Sequence, residues 1–271
     1  MKTWTHTTIL TFLALLTLWV MPVEAGETHT GRQIMDLKAQ LNDKDVEFSV
    51  TTMTLIDRSG KEKARTMHRF ARKFEDGLSK YLLVFKAPKG VKGVASLSWE
   101  KQSGEDDQWT FLPALGKLKR VVGGGKRSYF MGTDFANEDL VSENRNNFRY
   151  ERQPDTPFNG RDSYVVDAYP AAKNTKKSTG YSYRRLTIDK ETLLEMQVQF
   201  FARRSKKLVK TLTVQEAINV EGVWRPKLSL MDNLKEQHQT RSLVESWSFS
   251  GDAVDPKIFN HRYLKRKKHM R

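Results

Sequence analysis

Two short runs in this chain have the makings of chemistry: Gly123-Gly124-Gly125-Lys126, and Lys176-Lys177-Ser178-Thr179-Gly180. The first resembles a phosphate loop, in which glycine N–H groups cradle phosphate oxygens and a lysine reaches the terminal phosphates. That loop needs a glycine five positions before its last one and Ser or Thr after the lysine, and here Arg120 and Arg127 hold those places. The second run would be a nucleophile elbow, Gly-x-Ser-x-Gly, if position 176 were not lysine. The histidines after the leader (29, 68, 238, 261, 269) stand singly, with no His-Glu-x-x-His pair, so no metal ligand set is indicated. Two acidic pairs remain, Asp106-Asp107 and Glu138-Asp139. Adjacent carboxylates on a strand face opposite sides and cannot share a proton, so they read as a solvated turn and a helix-end charge. Neither catalysis, nor a metal, nor a cofactor is expected.

What stands out instead is apolar mass beside positive charge in WTFLPALGKLKRVVGGGKRSYFMGTDFANEDL, residues 109–140. As a strand, its start puts Trp109 and Phe111 on one face and Thr110 and Leu112 on the other. Leu115, Leu118 and Val121-Val122 extend the apolar content, interleaved with Lys117, Lys119, Arg120, Lys126 and Arg127. Phe130, Met131 and Phe135 lead into a short helical turn ending at Leu140, with Thr133 or Asp134 as its cap. On the residues alone, this is apolar surface set among cations able to meet an anionic surface.

The elements around it alternate with period two. Val46, Phe48 and Val50 alternate with Glu47, Ser49 and Thr51, and further strands are expected at 67–74, 80–85, 95–101, 108–112, 148–152, 162–168, 181–189, 194–202, 207–219, 223–231 and 240–249. Turn residues such as Glu75-Asp76-Gly77, Asn159-Gly160 and Glu221-Gly222 separate them. About eleven or twelve strands in a meander must curl or close. One helix is expected from Thr30, with Ile34, Leu37 and Leu41 on one face, ending at Asn42-Asp43. Asp255-Pro256 reads as the start of a short helical turn before a basic tip.

The chain opens with Lys2, the apolar run Ile9–Val20, Pro22 and the small residues Val23-Glu24-Ala25, the pattern of a secretory signal cut after Ala25. This twelve-residue run falls short of the roughly 20 apolar residues that span a bilayer. Residues 26–271, 271 − 25 = 246 in number, would then form a single domain. The formal charge is +15, and the chain contains no cysteine, hence neither disulfide nor cysteine-linked lipid. A basic chain raises nucleic acid as a partner, but export to the periplasm argues against it and favours anionic lipid or acidic protein surfaces, touched transiently.

WTFLPALGKLKRV followed by MGTDFANEDL resembles the outer-membrane lipoprotein-sorting protein family, the LolA-like carriers. YSYRRLTIDKETLLEMQVQFF, KLVKTLTVQE, NVEGVWRPKLSLMDN and DPKIFNHRYL follow in that family's order, so the resemblance spans nearly the whole chain after the leader. It implies a mainly β fold with few helices, an incomplete antiparallel β-barrel of about 11 strands with a helical lid over an apolar cavity. It implies a soluble periplasmic carrier of lipoprotein acyl chains, lipid or glycolipid, delivering towards the outer membrane, with an inner-membrane transporter of the resistance–nodulation–division (RND) type as a partner.

Under that implication Trp99, Trp109, Phe111, Leu115, Phe130, Met131, Phe135 and Leu140 are the acyl-chain contacts, and Lys117, Lys119, Arg120, Lys126 and Arg127 the docking or head-group contacts. The same apolar residues also read as plain core, the commoner fate of large side chains in a β protein. No motif selects a cavity arginine among Arg65, Arg69 and Arg72, which leaves the cargo open between lipoprotein and free lipid. The alternative function is an accessory subunit of an envelope transporter that carries nothing.

Overall fold

The computed structural model describes residues 29–270, together with Met1; the expected secretory leader lies outside the described residues. Helix α1 (Gly31–Asn42) begins where Thr30 and Gln33 cap each other's backbone N–H groups. Its buried stripe is Gly31, Ile34 and Met35, so Met35 replaces the expected Leu41, which is exposed.

Thirteen strands follow among the described residues. They are β1 (Val46–Ile56), β2 (Glu62–Lys73), β3 (Ser79–Ala87), β4 (Ala95–Trp99), β5 (Asp107–Leu112) and β6 (Lys117–Arg120), then β7 (Phe148–Gln153) and β8 (Ser163–Pro170). Helix α2 (Lys173–Ser178) precedes β9 (Tyr181–Asp189), β10 (Glu195–Ala202), β11 (Leu208–Val220), β12 (Val223–Asn233) and β13 (His238–Ser248), and helix α3 (His261–Lys265) lies near the end. The count exceeds the expected eleven or twelve because β6 is short and basic, and so carries no apolar alternation to betray it.

All thirteen strands form one antiparallel sheet, in the order β6-β5-β4-β3-β2-β1-β13-β12-β11-β10-β9-β8-β7. Each strand pairs with its sequence neighbour, except that β1 also pairs with β13, and β6 and β7 leave their outer edges unpaired. The sheet is therefore open at a single place. The chain crosses that opening in the long β6–β7 connection, residues 121–147. Connections of this length are uncommon in compact domains and tend to be functional.

Cross-strand partners share a face of the sheet. The row Leu186–Val198–Leu212–Met231–Thr240–Leu55 runs across β9 to β1 on one face. This face receives α1, where Ile34 and Met35 pack on Val166, Ala168, Leu186 and Ile188, and it also receives the 121–147 crossing. The row Phe48–Phe70–Leu82–Leu97–Trp109 lies on the other face, covered by Val254, Ile258, Phe259 and Leu264 of the C-terminal segment. Strand β1 is thus covered on both sides. Val46 and Phe48 pack on the C-terminal cluster, while Ser49, Thr51, Met53 and Leu55 are buried beneath the crossing and α1 side.

Candidate functional site

The crossing lies on the sheet through a tight turn. The Thr133 N–H donates to Phe130 O at 3.0 Å and the Phe130 N–H to Phe135 O at 2.8 Å. Met131 and Gly132 both take left-handed backbone angles, φ 52° and 78°. Glycine does so freely, whereas a left-handed methionine costs about 1 kcal/mol. The turn drives Phe130 onto Phe85, ring centroids 5.5 Å apart and nearly parallel, within a cluster that includes Met53, Leu55, Met67 and Leu83. Phe135 bridges this cluster to a second one built from Tyr181, Val198, Phe200 and Met231. Met131 and Leu140 pack at the margin of the first.

Polar side chains tie the crossing down. Buried Asp134 accepts from Thr240 Oγ1 at 2.7 Å and Asn233 Nδ2 at 3.0 Å, and its Oδ2 lies 2.7 Å from His238 Nδ1. Lys210, which is 1 % exposed, donates to Asp139 Oδ2 at 2.5 Å and to Asp134 O at 3.1 Å. Tyr181 donates its hydroxyl to Asp139 at 3.0 Å. Glu138 accepts from Thr179 Oγ1 at 2.6 Å and from the Gly180 N–H at 2.8 Å. Arg65, on the strand row facing the crossing, donates to Met131 O.

These bonds correct the expected capping. Thr133 donates its hydroxyl to Phe130 O, and Asp134 is spent on β12 and β13. The short 3-10 turn Asn137–Leu140 is held instead by Asp139 Oδ2, which accepts the Ala136 N–H at 2.6 Å. The Glu138-Asp139 pair is not a solvated helix end: it fastens the crossing to β9 and β11. Only the pairing of distant strands reveals that, although a lysine at a strand position otherwise facing inward, Lys210, was a visible hint.

Beside this latch a cavity enclosing about 640 Å³, its open mouth included, lies between the crossing, α2 and the β7–β9 edge. Glu138, Glu143, Asp106 and Arg184 are among its lining groups, with Phe148 and Val141 as apolar walls. Burial, followed by the neighbouring Asp139 charge, pushes Glu138 up to about 7. Burial likewise pushes Asp106 up to about 6.

The thirteen residues singled out from sequence do not come together at one place. Phe130, Met131, Phe135 and Leu140 meet on the crossing's side. Phe111 is fully buried on the opposite face, and Trp99 and Trp109 pack there with each other and with His261, Trp99 donating its indole N–H to Phe259 O at 3.1 Å. Leu115 is exposed in the β5–β6 turn. Lys117, Lys119 and Arg120 are exposed on edge strand β6, where Arg120 pairs with Asp107. Lys126 pairs with Glu105 at 3.6 Å, and Arg127 Nε donates to Ser178 O at 3.1 Å. Of the three arginines, Arg65 and Arg69 share the crossing's face, while Arg72 donates to Val254 O on the other.

This open antiparallel sheet with few helices matches the fold of solved LolA-like proteins. A domain designated as an outer membrane lipoprotein-sorting protein, from Vibrio parahaemolyticus, is 29% identical and superposes with a TM-score of 0.80 over 87% of this chain and 98% of its own. A DUF1329 family protein from Desulfovibrio piger is 25% identical, TM-score 0.80, over 86% of this chain and 97% of that one. A LolA superfamily protein from Nitrosomonas europaea shares the fold at 17% identity, TM-score 0.69, over 87% and 100%. None of the curated proteins compared is significantly similar. A family profile described as "Uncharacterized protein" matches residues 77–266. The chain belongs to that family, and its fold is the one seen in the lipoprotein-sorting, DUF1329 and LolA superfamily structures.

Proposed function

We propose that this protein is a soluble periplasmic carrier of acyl chains, from lipoproteins or free lipids, and that its cargo is sheltered between the open sheet and the 121–147 crossing. The observation that carries this reading is where the crossing lies. It spans the sheet's opening, lays Phe130 and Phe135 on an apolar face, and is fastened by side chains rather than by strand pairing. Lifting it exposes Met53, Leu83, Phe85 and Phe200, a surface an alkyl chain can cover in its place.

The physical need is large. Each methylene buried is worth about 0.8 kcal/mol, so a chain of about 14 to 16 carbons resists water by roughly 10 kcal/mol. A carrier lowers that cost without covalent chemistry, and the Vibrio domain's designation as lipoprotein-sorting accords with such a role. Handover to a better site then drives release, and an RND-type transporter is the proposed inner-membrane partner.

Native mass spectrometry of protein taken gently from the periplasm tests this. About one copurifying lipid per chain is expected. A clean apo mass, unchanged after incubation with lipid, would overturn the carrier and leave the accessory subunit.

A further inference from the structure

Helix α2 presents Lys173, Lys176 and Lys177 to solvent, and the β10–β11 turn presents Arg203, Arg204, Lys206 and Lys207. The fold brings these distant stretches together. Arg203 Nη1 donates to Lys177 O at 2.9 Å, and the Arg203 N–H donates to Gly180 O at 2.8 Å. From the crossing, Arg127 adds its guanidinium to the same helix end, donating to Ser178 O at 3.1 Å and Lys177 O at 3.4 Å. Two arginines are thus anchored on carbonyl oxygens, not on carboxylates. Among the described residues none of these eight cations is paired with an acid, although nineteen Lys or Arg ion pairs are present elsewhere. Three segments holding like charges together raise the cost of the fold, and an anionic partner removes that cost.

We infer that this surface, built from α2, the 203–207 turn and Arg127, docks the protein on an anionic phospholipid membrane. Its make-up selects a lipid surface over a protein. Protein interfaces centre on buried aromatic or aliphatic anchors, and the two exposed runs KNTKKS and RRSKK offer none. Attraction of exposed Lys and Arg to an acidic leaflet needs no such anchor and adds up residue by residue. A free phosphate would want convergent donors, whereas here the lysines point outward from a helix and a turn. The placement is also useful. Thr175, Ser178 and Thr179 of this patch line the cavity beside the lid latch, so docking sets that mouth at the head-group layer. Asn174 of α2 and Arg120 of the basic edge strand β6 line one cleft, so the two basic stretches adjoin, and membrane docking stands whether or not acyl cargo is carried.

Cosedimentation of the full chain with vesicles tests it, using phosphatidylcholine alone or mixed with phosphatidylglycerol, at low salt. Binding is expected on the mixed vesicles and should fade as salt rises. Lys176→Glu, Lys177→Glu and Arg204→Glu together should weaken it about 100-fold, each residue near an acidic surface contributing close to a fivefold factor. Lys63→Glu, Lys89→Glu and Lys265→Glu make the same change in net charge at exposed sites elsewhere and should leave most of the binding intact. Equal losses in both triples, or no binding to acidic vesicles, overturn the inference, as does patch-dependent capture of an inner-membrane protein domain without vesicle binding. Circular dichroism controls for folding, and the glutamine versions of the three patch changes give a milder second series. Lipid copurification is read on the same variants, so a failed carrier and a failed docking surface give different results.

Discussion

Asp139 and Lys210 form the most consequential pair in the latch, because both are nearly removed from water. Breaking a buried pair by deleting one partner leaves the other charge stranded, at a cost of about 3–5 kcal/mol. Asp139→Ala should therefore lower stability in urea by roughly that amount, and Asp139→Ala with Lys210→Met should recover most of it. Additivity of the two losses would show the pair to be unimportant. Glu138 makes a second forecast. It is held up to about 7 in the folded chain, against an ordinary 4.5. The folded form keeps its proton where the unfolded form has lost it, so this contribution is full below about pH 4.5 and is lost as pH rises through 7. The groups facing it are Asp139 on its own turn and Arg184 on β9. Subtracting the curve of Glu138→Gln from that of the native chain should leave a fall of up to about 1.4 kcal/mol per pH unit across this window. A flat difference would remove Glu138 from the latch.

Among the elements, the crossing differs from every strand it covers, since side-chain packing and side-chain bonds, not strand pairing, hold it on the sheet. Phe135 is only partly buried and joins two apolar clusters, which makes it the better probe than Phe130. Phe135→Asp should reduce acyl-chain binding at least tenfold while circular dichroism stays native. Unfolding instead would mark the crossing as ordinary core. Hydrogen exchange should find residues 129–140 opening more readily than β1 and β13, whose pairing joins the two halves of the sheet. Sequence period found most strands, but it does not say what covers each face. The family resemblance grouped Trp109 and Phe111 with Phe130 as acyl-chain contacts, whereas the fold leaves them on opposite faces of the sheet.

For the whole molecule, the C-terminal segment is structural in a way its basic composition hides. Val254, Phe259 and Leu264 are each at most 2 % exposed and seal the face opposite the crossing. Burial of such side chains is worth about 1.5–3 kcal/mol apiece, and a domain of this size shifts its Tm by about 2–4 °C per kcal/mol. Ending the chain after Ser250 should lower Tm by at least about 10 °C, measured by calorimetry; a smaller change would show that segment to be peripheral.

Local pattern alone determined much here: alternation announced a long antiparallel meander, and the Thr30 cap announced α1. These signals sit within a few residues of one another, so chain order preserves them. The tertiary structure decided where the sheet stays open, which face the crossing covers, and that Asp134, Asp139 and Lys210 meet although 76 and 71 residues separate the lysine from its two partners. Register across thirteen strands sets those meetings, and a shift of one residue would turn every side chain to the other face.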